Sequence, residues 1–291
     1  MKIQNRAKIC LCISIVIMLV AVVMSLTGHG INYGIDFAGG LNLQYDMGST
    51  YDKADVEEAL KAQGIEEFVV STVGSEGTAV QIRVPTLSDE DEVQNLQNGL
   101  ETTLLEKYPN MDTDNATASY VGPVAGATLV RNAIFSVLIA AVLMLIYIAF
   151  RFDLFSGIAA VAGLLHDVLI MISFMVILRN VIQMNSSFIA AMLTIVGYSI
   201  NNTIVIFDRI RENNKKPALA GQPRSEIVEL SVKESLGRTI NTTLTTLVTI
   251  VTLYILGVAS IREFSLPIII GILAGAYSAN LINGCVWAAL E

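Results

Sequence analysis

Hydrophobic residues fall in six long blocks, roughly 9–26, 130–149, 157–178, 187–207, 241–259 and 266–288. A helix needs about 20 mostly apolar residues to cross ~30 Å of hydrocarbon, and each block is close to that length. Core strands and short buried helices do not reach it. Six transmembrane helices are therefore predicted. Lys2, Arg6 and Lys8 precede the first block, as they would in a secretory signal. The block exceeds a typical signal core and lacks a clear small-x-small cleavage site, so a retained anchor is expected.

Between the first two blocks the period changes. Leu41-Asn-Leu-Gln-Tyr45 alternates as a strand does, and Lys53–Gln63 has helical spacing, with Asp52 to cap it and Gly64 to stop it. Phe68–Val73 and Ala79–Val84 are strand-like runs joined through Gly74-Ser-Glu-Gly77. Ser88-Asp-Glu-Asp91 opens a helix to about Tyr108, and Thr117–Val121 forms a last strand. The order βαββαβ is that of an α+β, ferredoxin-like sandwich. The expected organisation is a first helix within 1–27, a globular domain over 28–129, and a five-helix region over 130–291 with a loop at 208–240.

Composition agrees with this division. Of 291 residues 53% are hydrophobic and 15% charged, and the mean hydropathy is +0.61. Soluble domains carry about a quarter charged residues. The net charge of −8 argues against nucleic acid as a partner, because phosphate binding needs clustered Lys and Arg.

Charge placement also sets an orientation. With a cytoplasmic N-terminus the inner segments hold Lys2, Arg6, Lys8, Arg151, Arg209, Arg211, Lys215, Lys216, Arg224, Lys233 and Arg238, whereas the short outer loops hold Arg179 and Arg262. Bases concentrate on the cytoplasmic side. Both termini are thus expected in the cytoplasm of an inner-membrane, multi-pass protein. The 28–129 domain lies outside and carries seventeen acids against four bases. Cys10, Cys12 and Cys285 sit in apolar blocks and are expected to pack as small apolar residues.

Several residues do not belong in lipid. Asp167 follows His166 near the middle of the third block. A carboxylate at that depth costs several kcal/mol or is protonated, so it should face a bundle interior or wet cavity. Ion or proton handling is preferred to a purely structural bond, while His166 alone is evenly balanced. Gly197-Tyr-Ser-Ile-Asn-Asn-Thr203 is polar or small at every position but Ile200, and Tyr198 and Asn202 share a helix face. Its amides, Asn201 and Asn202, fit either helix-to-helix bonding or an ion pathway. The fifth block opens Arg238-Thr-Ile-Asn-Thr-Thr, which suits packing on other helices. Arg238 either snorkels to the interface or reaches a carboxylate. Gly271, Gly275 and Ala279 form a small-residue stripe for close helix packing.

These residues together resemble the SecF family of protein-export membrane subunits, in the RND superfamily. Gly34-Ile-Asp-Phe-Ala-Gly-Gly40 is similar to its G-[IL]-D-F-x-G-G signature, in which Gly34, Asp36, Phe37, Gly39 and Gly40 match. Val121-Gly-Pro123, His166-Asp167, Val196-Gly-Tyr-Ser-Ile-Asn-Asn, Asp208-Arg209-Ile-Arg-Glu-Asn213 and Ser235-x-x-Arg-Thr239 follow in order along the chain.

The resemblance implies an RND-type half of six helices that pairs with a SecD homologue and assists the SecYEG channel and SecA. It implies use of a proton or possibly Na⁺ gradient to act on the translocating polypeptide, with no bound cofactor. One position departs from the family pattern. After Asn201 the family carries an aspartate associated with the ion pathway, where this chain has Asn202, which cannot titrate. Either the partner carries the coupling, which is preferred, or Asp167 substitutes, or Na⁺ takes the Asn202 carbonyl as a ligand. In the first case Arg238 is expected to pair with a carboxylate across the subunit interface. An RND-type small-molecule or lipid exporter half is the main competing reading. No enzyme is expected, because Asp167 and Asp208 sit at different depths and no nucleophile motif is present.

Overall fold

The computed structural model describes residues 3–73, 77–85 and 90–290. Lys2, most of the Gly74-Ser-Glu-Gly77 turn and the Ser88-Asp89 start of the second domain helix lie outside the described residues. In chain order the elements are α1 (Ile3–Leu26), α2 (Ile35–Ala38), β1 (Gly40–Asp46), α3 (Lys53–Ala62), β2 (Val69–Val73), β3 (Ala79–Val84), α4 (Glu90–Lys107) and β4 (Asp112–Val121). There follow α5 (Pro123–Arg151), α6 (Leu154–Ile177), α7 (Ser186–Asn214), α8 (Arg224–Leu256), α9 (Ala259–Tyr277), a π-helical segment (Ser278–Asn283) and α10 (Gly284–Leu290). The chain divides into two compact units, Tyr33–Asn132 and the remainder.

In the Tyr33–Asn132 unit the sheet order is β2-β3-β1-β4, antiparallel throughout. Pleating puts Leu41, Leu43 and Tyr45 on one face of β1, and the register sets them opposite Val84, Ile82 and Val80 of β3. All six are buried, with Val56, Ala59 and Leu60 of α3 and Leu96, Leu100 and Leu104 of α4 packed among them. A fully buried Leu or Ile stabilises such a core by about 1.5–3 kcal/mol. The last strand begins at Asp112, five residues before the expected Thr117. Its first half has no apolar alternation because β4 is an edge strand and much of it is exposed.

α3 is tied to α4 by polar contacts. Tyr108 Oη donates to Asp55 Oδ2 at 2.6 Å and Lys107 Nζ to Oδ1 at 3.1 Å. The Tyr108 bond first, and then Lys107, hold the Asp55 carboxyl below the usual aspartate range. The unfolded chain then takes up this proton more readily than the folded one. The stabilisation is complete above the ordinary value of ~3.9 and is lost as pH falls through the lower folded value. Tyr108→Phe is expected to remove part of the acid-side loss of α3–α4 hydrogen-exchange protection. An unchanged acid profile would mean that the contact contributes nothing.

Among the described residues six helices are long and apolar enough to cross a membrane: α1, α5, α6, α7, α8 and the α9–α10 run. Side-chain caps start two of them. Asp153 Oδ1 accepts from Ser156 N at 2.8 Å, and Asn185 Oδ1 from Phe188 N at 3.2 Å; such caps contribute about 1 kcal/mol each. The 208–240 segment expected as a loop is mostly helical, since α7 runs to Asn214 and α8 starts at Arg224. Ile227, Val228, Ser231, Val232 and Ser235 are buried at helical spacing along the extension. A hydropathy window misses a helix whose outer face is charged. The sixth block is interrupted by the π-segment, which the sequence did not announce.

Candidate functional site

The out-of-place carboxylate organises the site. Asp167 is 1% exposed, and each of its oxygens faces a hydrogen-bond partner. Oδ1 lies 2.9 Å from His166 Nδ1. Oδ2 accepts from Ser199 Oγ of α7 at 2.5 Å and from Ser278 Oγ of the π-segment at 3.0 Å. With Asp167 ionised, Nδ1 carries the ring proton and Nε2 is left as the acceptor. Nε2 lies 2.8 Å from Ser14 Oγ of α1 and 2.7 Å from Tyr277 Oη of α9. Ser14 and Tyr277 hydroxyls also hydrogen-bond to each other. The Tyr277 ring meets the imidazole edge-on at 5.2 Å. Four helices and the π-segment thus meet at one buried, fully bonded cluster.

Local geometry explains the convergence. In an α-helix residues five apart diverge by roughly 140°. A π-turn brings i and i+5 onto one face, and Ser278 and Asn283 both point toward α6 and α7. Asn283 Nδ2 donates to Thr203 Oγ1 at 2.8 Å, while its Oδ1 is buried without a partner among the described residues. Gly163 makes room for that amide, because a Cβ there would sit 2.0 Å from Asn283 Oδ1. Gly275 lets α9 approach in the same way, since its Cβ would lie 3.0 Å from Ser199 Cβ and 3.4 Å from Asp167 Oδ2. Gly271 abuts Ile195. The small-residue stripe is therefore a packing feature that also borders the site.

The polar motif of α7 divides between faces. Ser199, Asn202 and Thr203 are buried, and Asn201 is exposed. Asn202 Nδ2 and the half-buried Tyr198 Oη have no partner among the described residues. Arg238 is exposed and, among the described residues, forms no ion pair. The threonines of α8, a helix expected to pack on others, donate to their own backbone one turn back, as in Thr242 to Arg238 O and Thr249 to Thr245 O. Much of α8 is exposed. Its inward Thr239 donates to Asn280 Oδ1 at 3.1 Å.

Arg209 bridges Glu212 at 2.5 Å and Glu234 at 2.7 Å, joining α7 to α8. Asp208 is exposed, 4.0 Å from Arg151. The Gly34–Gly40 motif folds as the short α2 followed by two glycines of positive φ, 78° at Gly39 and 111° at Gly40. Phe37 and Asp36 carbonyls there approach Gly126, where a Cβ would sit 2.8 Å from Phe37 O.

The sequence reading missed Ser14, Tyr277, Ser278, Asn280 and Asn283. The last three were visible as polar residues in an apolar block, but that block was read only for packing. Among the described residues no group of three or more His, Cys, Asp or Glu could hold a metal ion.

The family model "Protein export membrane protein SecD/SecF, C-terminal" matches residues 101–291, and the SecD/SecF GG motif matches residues 25–49. Protein translocase subunit SecF of Rickettsia bellii is 35% identical over 280 residues, covering 96% of this chain and 90% of that protein. Protein translocase subunit SecDF of Bacillus subtilis is 35% identical over 278 residues, 93% of this chain but 35% of that protein. The crystal structure of SecDF, a translocon-associated membrane protein from Thermus thermophilus, superposes with a TM-score of 0.83 at 32% identity. It covers 100% of this chain, which spans 38% of that longer one.

Proposed function

The chain belongs to the SecD/SecF family of protein-export membrane proteins, and from that premise we propose that it is an auxiliary subunit of the Sec protein translocase that uses an ion gradient to promote late steps of export. It is an α-helical polytopic membrane protein. Its partner is a SecD homologue, a reading supported by SecDF proteins in which the counterpart of this chain is little more than a third of the length. SecYEG, SecA and the translocating polypeptide are the further partners that family membership suggests.

The excess of Lys and Arg in the segments on the same side of the helices as the N-terminus supports both termini in the cytoplasm of the inner membrane. The 33–132 unit then lies outside and acts on the emerging chain. Its strand order and two packed helices support a ferredoxin-like class. The subunit has no catalytic role in this reading and needs no cofactor beyond the ion.

One observation carries ion coupling: a carboxylate 1% exposed, in the middle of a membrane-length helix, bonded on both oxygens. Intramembrane acids held in this way mark ion and proton pathways. Changing the charge of such a group alters helix packing, which can be transmitted as motion. The exposed Asn201 and Arg238, with Tyr198 and Asn202 behind them, suit the face toward the partner half, where Arg238 meets a carboxylate.

Depleting the chain in its host and following secreted precursors by pulse-chase tests the export role. Slowed export or release, restored by re-expression, is the expected result. Normal export with altered tolerance to toxic small molecules would replace this reading with the exporter half.

A further inference from the structure

We propose that His166 and Asp167 form a proton-binding site contained within this one subunit, with Ser14 and Ser278 as hydroxyl switches at its two ends. The inference rests on the ion-coupling reading and names the ion, the atom that receives it and the residues that accommodate it.

The hydrogen-bond inventory is the basis. Ser14 Oγ faces His166 Nε2 at 2.8 Å and also Cys10 O, one turn back on α1, at 3.0 Å. Ser278 Oγ faces Asp167 Oδ2 at 3.0 Å and also Gly275 O at 3.3 Å. Each serine thus has a second acceptor on its own helix. When Ser14 gives its proton to Cys10 O, its oxygen accepts from Nε2–H. When Ser278 turns to Gly275 O, its oxygen accepts from a protonated Oδ2. Both reversals start with a hydroxyl rotation.

Tyr277 completes the arrangement, since its Oη touches both Nε2 and Ser14 Oγ and serves either state. Uptake adds one proton and releases none. The pair passes from net −1 (neutral imidazole, carboxylate) to net zero, held as imidazolium–carboxylate or imidazole–carboxylic acid. Discharging a buried group is favourable at apolar depth.

The surroundings favour a proton over a metal cation. Oδ1 is taken by the imidazole, which leaves one carboxylate oxygen and two serine hydroxyls, short of the six to eight oxygens a hard cation such as Ca²⁺ collects. The other titratable groups beside the pair are Tyr277 and Cys10, the latter one turn before Ser14. α7 contributes the non-ionisable Ser199, and among the described residues no Lys, Arg or Glu is bonded to the pair. Ser14 is fully buried and makes the polar contact of α1 with this cluster. The protonation state is therefore felt directly by α1.

The chain has two histidines, His29 and His166, and His29 is exposed and bonded only near Thr27. His29→Gln therefore leaves one reporter. The full chain carrying that change, labelled with [15N]histidine and held in lipid nanodiscs, is titrated by NMR. The expected spectrum has Nδ1 protonated and Nε2 bare at high pH, with Nε2 gaining a proton as pH falls.

Ser14→Ala, which removes a hydroxyl that can accept from Nε2–H, is expected to move ring protonation to lower pH, and Ser14→Ala with Tyr277→Phe to disfavour the doubly protonated ring further. The result should be the same in sodium or choline chloride. A pair in which neither Nε2 nor the Asp167 carboxyl, followed by its 13C shift, takes up a proton while the chain stays folded would overturn the proposal, as would a response to Na⁺ in place of pH. Because the titration is read without export, normal export on depletion would sink the export role alone, and a His166–Asp167 pair silent at both groups would sink this site alone.

Discussion

Asp167→Asn is expected to reduce export to the level seen on depletion while the chain accumulates normally. Asparagine keeps the shape of the side chain and two polar atoms for His166, Ser199 and Ser278, so the bundle retains its packing. What it loses is the exchange between charged and neutral forms on which the proposed coupling depends. Asp167→Ala is less informative, because it strands the imidazole and two hydroxyls around a cavity. Removing one partner of a buried pair costs about 3–5 kcal/mol, and the chain could fail by misfolding. Asp208→Asn is the control, since that carboxylate is exposed and only 4.0 Å from Arg151; surface pairs contribute about 0–1 kcal/mol. Pulse-chase export, normalised to the amount of subunit in the membrane, decides the matter. Wild-type export by the Asn variant would make Asp167 a structural carboxylate.

Gly40→Ala should have the largest effect on the 33–132 unit. Its φ is 111°, a region that L side chains rarely adopt, and an added Cβ would lie 2.4 Å from Val84 O and 2.8 Å from Pro85 Cα. Both are backbone atoms and cannot rotate away. Backbone strain of 1–3 kcal/mol and overpacking of similar size together give a loss on the order of 3 kcal/mol or more. Gly40 also begins β1, pairing with Val121, so the damage falls on the central strand. Limited proteolysis of membranes should show the unit cut far faster than in wild type. Gly64→Ala, in the same unit, offers the contrast, with φ at 79° and nothing within 4 Å of the new Cβ. It should cost only the ~1–2 kcal/mol of a left-handed residue. Equal protease resistance in the two variants would show that the close approach at Gly40 is relieved by relaxation.

The sequence by itself determined the six membrane-length helices, the alternating core of the globular unit and the anomaly at Asp167. Each of these is one-dimensional information: run length, period, or a charge in the wrong solvent. The ordered motifs also announced the family.

Tertiary structure decided which polar residues meet. Ser14 and Ser278 could not be told from Thr242 or Thr249, because any hydroxyl in a helix can bond the carbonyl one turn back. Only the packing of α1 and α9 on α6 sets Ser14 and Ser278 beside the pair. Likewise Asn201 and Asn202 are the same residue type at adjacent positions, and helix rotation sends one outward and buries the other. The π-turn that aligns Ser278 with Asn283 is held by contacts to α6 and α7, including the space at Gly163, and its own residues do not specify it. A site assembled from four helices is a statement about distances between residues as far as 263 apart in the chain, and periodicity within one helix carries no such information.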